Sequence, residues 1–149
     1  MKIDSFTGAF KDFSNFEPAI IRYKGLVFPT VEHAYQAAKA VSMADMVAVQ
    51  QALTAGAAKR LGRKIQLRPD WEQVKIPLMM NFLRQKFSYD PRKALLISTL
   101  NHTLIEGNTW GDRVWGICDG KGENWLGKCL MHVRKELQDF GNIIAGEIQ

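Results

Sequence analysis

Residues 20–41 read IIRYKGLVFPTVEHAYQAAKAV, and this stretch decides the class of fold. Apolar segments at 19–23 and 26–28 flank Lys24-Gly25, where glycine accepts the positive φ of a tight hairpin turn. Directly afterwards, Thr30 can accept a hydrogen bond from an unpaired helical N–H, and the residues that follow it favour a helix. The stretch therefore predicts a short hairpin followed at once by a helix.

Further helices are predicted along the chain. Ser42 and Asp45 have the spacing of a capping box, which predicts a helix that ends near Gly56 and one short helical turn over 57–61. Asp70 is placed to cap a helix over 71–87, which Pro77 should kink or split.

The C-terminal part adds two more helices and a strand. Asp90-Pro91 predicts a helix that reaches about residue 100, and 102–106 can form a short strand. Asn124 can cap a last helix that ends before Gly141. With 149 residues, 46% of them hydrophobic, the chain is expected to form one helix-dominated α+β domain over 1–149 with a small β element.

The composition limits the classes of function. No signal-peptide pattern and no membrane-length apolar run is present, so a cytoplasmic protein without a membrane partner is expected. Cys118 and Cys129 lack zinc-site spacing and are expected to be free thiols, and neither a metal nor a cofactor is expected. The net charge of +5 favours anionic partners, although scattered basic residues equally fit a solvated surface.

A glycine-rich segment, EGNTWGDRVWGICDGKGEN at 106–124, has the composition of a pocket wall. Its glycines let a ligand approach the backbone, and the indoles of Trp110 and Trp115 offer flat faces for a base or ribose. The alternative is that both indoles fill the core while the carboxylates stabilise turns.

On the helix after Thr30, three polar residues share one face. Glu32, Gln36 and Lys39 follow each other at i, i+4 and i+7. The glutamate can serve as acid, base or cation stabiliser, or can be an ordinary first-turn carboxylate that favours the helix dipole. His33 alone is more often a structural histidine than a catalyst.

Three blocks together resemble the NADAR family of small N-glycosidase-like domains. They are FSNFEPAIIRYKGLVFPTVEHAYQAAKA, AAKRLGRKIQLRPDWEQVKIPLMMNFLRQKF and LIEGNTWGDRVWGICDGKGENWLGKCLMHVRKEL, in the family's order and spacing. The resemblance implies a hydrolase of the N-glycosidic bond between a ribose and an amine-bearing base. It also implies two substrate classes, namely ADP-ribose on guanine in nucleic acid and phosphorylated ribosylamino-pyrimidine intermediates of riboflavin synthesis.

The resemblance also implies the site. Glu32 and Asp112 would share the acid, base and cation-stabilising duties at a common cavity, while Lys39 would contact substrate or form a Schiff base. Arg22 and Arg60 are candidate phosphate ligands. The implied substrate-binding residues are Ser14, Asn15, Phe16, His33, Gln36, Trp71, Trp110, Trp115, Gly116, Gly120, Gly122 and Asn124.

Two other functions remain open at this point. Stacking aromatic rings and glycine backbone suffice for binding, so a module that captures ADP-ribose or another nucleotide without hydrolysis is the alternative. A simple nucleic-acid binder would instead show steeply salt-dependent affinity for unmodified DNA.

Overall fold

The computed structural model describes residues 1–148, with their side chains except at positions 144, 145, 147 and 148. Helices dominate, and short strands complete an α+β fold, as predicted. The α-helices are α1 (Val31–Ala38), α2 (Met43–Gln50), α3 (Ala55–Gly62), α4 (Trp71–Lys86), α5 (Arg92–Ser98) and α6 (Trp125–Ile148). The strands are β1 (Lys2–Ile3), β2 (Pro18–Tyr23), β3 (Leu26–Thr30), β4 (Thr103–Leu104), β5 (Gly107–Asn108) and β6 (Ile117–Cys118), and a 3₁₀ helix covers Gly8–Phe13.

The chain forms two compact units. One consists of residues 15–86 and contains the hairpin and helices α1 to α4. The other consists of residues 1–14 and the residues from 87 onward. The single domain expected from the sequence stays a prediction.

In the unit of residues 15–86, β2 and β3 form the predicted hairpin. Tyr23 pairs with Leu26, so that Lys24 and Gly25 form a two-residue turn with φ values of 51° and 77°. Two positive φ angles are characteristic of a type I′ turn, whose twist matches that of the strands. The turn thereby fixes the register that buries Ile21 and Phe28.

Helix α1 is the centre of this unit. Thr30 has an extended backbone, and its Oγ1 accepts a hydrogen bond from the N–H of His33 at 3.0 Å, which confirms the predicted cap. The helix packs against α2, α3 and α4, and all eight of its residues are buried. Its polar side chains are therefore withdrawn from water, where they require internal partners or a ligand.

The predicted end of α2 and the predicted start of α3 differ from the structure. Helix α2 has the predicted Ser42 cap but ends at Gln50 rather than near Gly56. The reason is a cap missed in the sequence, because Thr54 Oγ1 accepts from Ala57 N–H at 3.0 Å and begins α3.

Helix α4 begins at Trp71 as predicted, but the Asp70 side chain does not cap it and Pro77 does not interrupt it. The Asp70 carboxylate accepts two bonds from the Arg68 guanidinium, at 2.6 and 2.9 Å, and its pKa is lowered by that hydrogen bonding. Pro77 does not split the helix, which runs unbroken from Trp71 to Lys86. Burial of Met79 and Phe82 offsets the missing N–H donor of the proline.

The unit of residues 1–14 and 87 onward has its own core. The ring of Phe13 lies 5.5 Å from that of Phe6 and 5.9 Å from that of Phe87. Strand β1 pairs in parallel with β4, and β5 with β6. The predicted strand over 102–106 is thus limited to two residues, and Cys118 and Cys129 are buried and form no disulfide, as predicted.

The last two helices also have different bounds from those predicted. Helix α5 begins at Arg92, one residue after the proline, and ends at Ser98. Helix α6 continues past Gly141 because this glycine does not adopt the positive φ that ends a helix. None of the described helices combines the length and apolarity needed to cross a membrane.

Candidate functional site

The Glu32 carboxylate on α1 is one of the buried polar groups of the unit of residues 15–86. Its side chain is 7% exposed, and its Oε1 accepts a hydrogen bond from Gln36 Nε2 at 2.7 Å. The N–H of Glu32 donates to the carbonyl of Asn15 at 3.0 Å. Because Gln36 lies one helical turn after Glu32, the Gln36 amide holds the Glu32 carboxylate in one rotamer.

Two buried oxygen atoms beside this carboxylate have no hydrogen-bond partner. They are Gln36 Oε1 and Asn15 Oδ1, on side chains that are 4% and 9% exposed. Asn15 donates only a weak bond, from Nδ2 to the sulfur of Met79 at 3.7 Å. An unsatisfied buried acceptor costs about 1–3 kcal/mol, so such atoms indicate a place where a ligand supplies donors.

Lys39, at the C-terminal end of α1, lies against two aromatic rings. Its Nζ is 5.2 Å from the ring centre of Tyr35 and 5.9 Å from that of Trp71, and these rings are 5.2 Å apart. Burial lowers the pKa of Lys39, and the charges of Arg63, Lys59 and Lys75 lower it further, whereas Glu32 opposes the shift. A lowered pKa increases the fraction of lysine that is neutral, and the neutral amine is the form that acts as a nucleophile.

His33 has a structural hydrogen-bond pattern. Its Nε2 lies 2.9 Å from the carbonyl of Ala52, which can only accept, so Nε2 carries the proton. Nδ1 then accepts from the Thr30 hydroxyl at 2.7 Å. The ring thus bonds to the backbone of Ala52 and to the side chain of the cap residue Thr30, and the substrate role of His33 stays a prediction.

The glycine-rich segment of the other unit is shaped by Asp112. Its Oδ1 accepts from the N–H groups of Val114 and Trp115, at 3.1 and 2.9 Å. Asn108 binds the backbone N–H and carbonyl of Asp112 through its own amide, at 3.0 and 2.8 Å. The carboxylate therefore builds the turn that presents Trp115, and a catalytic duty for it stays a prediction.

The glycines of this segment have identifiable steric roles. A Cβ on Gly116 would overlap the carbonyl of Glu106, and one on Gly122 would overlap the carbonyl of Gly116. Gly120 has a φ of 72° and faces open space, in a turn that joins Cys118 to Lys121. Close packing thus accounts for two of the glycines, and the turn accounts for the third.

Asn124 is a linking residue rather than the predicted side-chain cap of α6. Its buried amide accepts from the N–H of Glu106 at 3.0 Å and donates to the carbonyl of Leu104 at 2.9 Å. Its φ of 55° is itself unusual for a cap. Gly127 lets α6 approach the same carbonyl of Leu104, because a Cβ at this position would overlap it.

The remaining predicted residues differ in exposure. Trp110 is 63% exposed, which excludes the alternative that it fills the core, and Trp115 is half-buried. Phe16 is largely exposed, and the N–H of Ser14 closes the 3₁₀ helix on Lys11.

The structure thus assembles one group from predicted residues in residues 15–86, namely Asn15, Glu32, Gln36, Lys39 and Trp71. The second group consists of the glycine-rich segment in the other unit.

The sequence did not reveal the role of Gly62, where a Cβ would overlap the Gln36 amide. This close approach is visible only in the packing of α3 on α1, because in the sequence Gly62 looks like any other glycine at the end of a helix.

The family of the chain follows from comparison with known proteins. The NADAR domain family model matches residues 4–138, which include both groups. The chain belongs to the NADAR family.

Several NADAR relatives resemble the chain over most of its length. The N-glycosidase YbiA of Escherichia coli is 38% identical over 130 residues, covering 85% of this chain and 81% of that protein. An N-glycosidase of Nostoc punctiforme is 38% identical, with 86% of each chain covered. A riboflavin biosynthesis protein of Vibrio vulnificus is 35% identical, and the match covers 85% of this chain and 35% of that protein.

A solved structure confirms the fold. The NMR structure of Escherichia coli YbiA matches with a TM-score of 0.82 and 33% identity, covering 95% of this chain and 89% of that one.

Proposed function

We propose that the protein hydrolyses the N-glycosyl bond between a ribose and an amine-bearing base. Two substrates are candidates: ADP-ribose on guanine in nucleic acid, and a phosphorylated ribosylamino-pyrimidine. The family and the relatives that are named N-glycosidases support the reaction class. The observation that carries the proposal is the buried Glu32 carboxylate, held by Gln36 and accompanied by Lys39 on the same helix.

Glu32 fits the electrostatic demand of this reaction. Breaking the bond between C1′ of the ribose and the amine nitrogen develops positive charge at C1′. A carboxylate in a water-poor site stabilises that charge more strongly than one in water, and the bond from Gln36 keeps it oriented before the reaction begins. The acceptor Asn15 Oδ1 can receive a hydroxyl or amine proton of the substrate, whereas Gln36 Oε1 lies against Gly62.

Two routes fit these residues. In direct hydrolysis, water adds to C1′ as the C–N bond breaks, and a general acid protonates the departing amine. In the lysine route, the ribosylamine opens to an imine, the neutral Nζ of Lys39 adds to C1′, and the base departs with a proton as its amine. Water then hydrolyses the lysine imine, which returns the amine and releases the ribose.

The activity test uses both substrates. A 5-phosphoribosylamino-pyrimidine and a guanine-ADP-ribosylated oligonucleotide are incubated with the protein, and released ribose 5-phosphate or ADP-ribose is quantified by mass spectrometry. We expect Glu32→Gln to lower kcat/KM roughly 100-fold or more. Glu136→Gln on α6, a partly exposed carboxylate next to His132, is the matched control and should retain activity. Binding of ADP-ribose without turnover of either substrate would instead support the nucleotide-binding module.

A further inference from the structure

We propose that Lys59, Arg63 and Lys75, next to Lys39, form the binding site for the phosphoryl group attached to C5′ of the substrate ribose. The proposal rests on the proposed function and specifies the substrate as a 5′-phosphorylated ribose. This group is common to both candidate substrates, as a phosphate monoester in one and as part of a diphosphate in the other.

The packing of three helices brings these cations together. Helix α1 packs on α3 and on α4. Gly62, at the end of α3, abuts the side chain of Gln36, and Arg63 follows it directly, so the end of α3 lies beside the face of α1 that carries Lys39. On α4, Lys75 is one turn from Trp71, the ring against which Lys39 lies.

The electrostatics support the same arrangement. Arg63, Lys59 and Lys75 each lower the pKa of Lys39 by charge repulsion, in decreasing order, which agrees with the packing of α3 and α4 on α1. Glu32 acts on the pKa of Lys39 in the opposite direction. Lys39 therefore interacts with three further cations and with one carboxylate of α1.

One ion pair of this cluster joins Lys75 to Glu72, and it is easily exchanged. Lys75 Nζ lies 2.7 Å from Glu72 Oε2, but the Glu72 side chain is 73% exposed and the Lys75 side chain is 18% exposed. An ion pair with one partner in water contributes little stability. A phosphate, with a charge of about −1.5 to −2, would relieve the repulsion among the cations more effectively.

The location suits a ribose phosphate. Lys39 belongs both to this cluster and to the group around Glu32. In the proposed complex, C1′ of the bound sugar lies near Glu32 and its phosphoryl group lies at the cations. The positive charge of the cluster also favours the neutral amine of Lys39.

The two earlier candidates for the phosphate ligand provide the control. Nη1 of Arg60 lies 3.6 Å from the position of a Cβ on Gly56, in the first turn of α3 and away from Arg63. Arg22 is exposed on β2, and neither arginine is among the charges that act on Lys39. Arg60→Met thus removes an equal charge from the same helix without entering the cluster.

The test measures binding of the product, so it needs no turnover. Isothermal titration calorimetry with ribose 5-phosphate, ribose and ADP-ribose is applied to wild type, Arg63→Met, Lys59→Met and Arg60→Met. We expect ribose 5-phosphate to bind at least tenfold more tightly than ribose, and each cluster variant to lose roughly tenfold, whereas Arg60→Met retains wild-type affinity. ADP-ribose that competes with ribose 5-phosphate would extend the site to a diphosphate, and ADP-ribose that does not compete would restrict it to the monoester.

Two results would overturn the proposal: equal affinity for ribose and ribose 5-phosphate, or the same loss in Arg60→Met as in Arg63→Met. Thermal unfolding of each variant checks the fold, since removal of one of several like charges should not lower Tm. Failure of hydrolysis with intact phosphate-dependent binding would overturn the proposed function alone. Turnover that is equally fast with dephosphorylated substrate would overturn only the phosphate site.

Discussion

Gly62 acts on the Glu32 carboxylate through one intermediate residue. A Cβ at position 62 would overlap the Gln36 amide, which must then move and release its bond to Glu32. We expect Gly62→Ala to lower kcat/KM at least tenfold while the free energy of unfolding changes by about 1 kcal/mol or less, because alanine's helix propensity offsets the displacement.

Gly56→Ala is the matched control for this prediction. Both glycines belong to α3, but a Cβ at 56 would meet no atom closer than 3.6 Å. Activity should be unchanged, and stability should rise by about 0.5–1 kcal/mol. Similar kinetics for the two variants would show that Gln36 does not orient Glu32.

Substitutions of neighbouring charged residues should shift the pKa of Lys39 in both directions. Its pKa lies below the ordinary 10.5, chiefly because of burial. Arg63→Met removes a repelling charge and should raise the pKa, as should Lys59→Met and Lys75→Met, whereas Glu32→Gln should lower it further. The ¹³Cε chemical shift of labelled lysine, followed against pH, measures these changes.

The sign of the pH effects follows directly. The unfolded chain holds the Lys39 proton to higher pH than the folded chain, so the contribution of this group to stability increases as pH rises from the folded pKa toward 10.5. Activity by the lysine route should rise as pH passes through the folded pKa and level off above it. A rise in kcat/KM that does not move to higher pH in Arg63→Met would contradict the role of Lys39 as nucleophile.

Covalent capture provides a separate test at Lys39. Borohydride added during turnover would reduce a lysine imine to a stable secondary amine, seen as a mass increase on the peptide that contains this residue. Lys39→Met should abolish the adduct, whereas Lys64→Met, an exposed lysine just after α3, should not. Active protein without any adduct would favour direct hydrolysis.

At the scale of single elements, the β2–β3 turn tests backbone conformation alone. Gly25 has a φ of 77° with no atom near its Cβ position, so Gly25→Ala should cost about 1 kcal/mol purely through backbone strain. Lys24, at a φ of 51°, should gain a few tenths of a kcal/mol on substitution by asparagine, which type I′ turns favour. Urea unfolding measures both, and changes of the same sign would argue against this turn type.

Helix α6 is joined to the segment before it by Asn124. Asn124→Ala removes two buried hydrogen bonds and should cost about 2 kcal/mol or more. Asn124→Gly loses the same bonds but tolerates the φ of 55°, so it should be about 1 kcal/mol more stable than the alanine variant. Equal stabilities in urea would show that backbone strain is not significant at this position.

At the scale of the whole molecule, salt dependence separates the two substrate classes. A protein with a net charge of +5 that neutralises several DNA phosphates loses affinity steeply with salt, with a slope proportional to the number of contacts. Turnover of the modified oligonucleotide should therefore fall much more steeply with salt than turnover of the ribosylamino-pyrimidine. Parallel slopes would indicate that only the sugar phosphate contacts the protein.

Sequence reasoning succeeded where interactions are local in the chain. The hairpin turn at Lys24-Gly25 and the cap from Thr30 to His33 depend on residues a few positions apart, and both are present. It failed where a distant partner competes for a side chain. The Asn124 amide, expected to cap α6, instead binds backbone 18 and 20 positions away.

The same limit applies to the candidate site. The i and i+4 spacing of Glu32 and Gln36 correctly places the two side chains in contact. The overlap of Gly62 with Gln36, and the effect of Lys75 on Lys39, depend on how α3 and α4 pack against α1. No local pattern in one sequence contains that information.

The contact of Lys39 with Trp71 gives the protein an intrinsic optical reporter. An ammonium group near an indole quenches and shifts its fluorescence differently from a neutral amine. With the other three tryptophans replaced by phenylalanine, the emission of Trp71 alone would follow in real time both deprotonation of the lysine and arrival of a ligand. Stopped-flow spectroscopy could then resolve the order of these two events without any added dye.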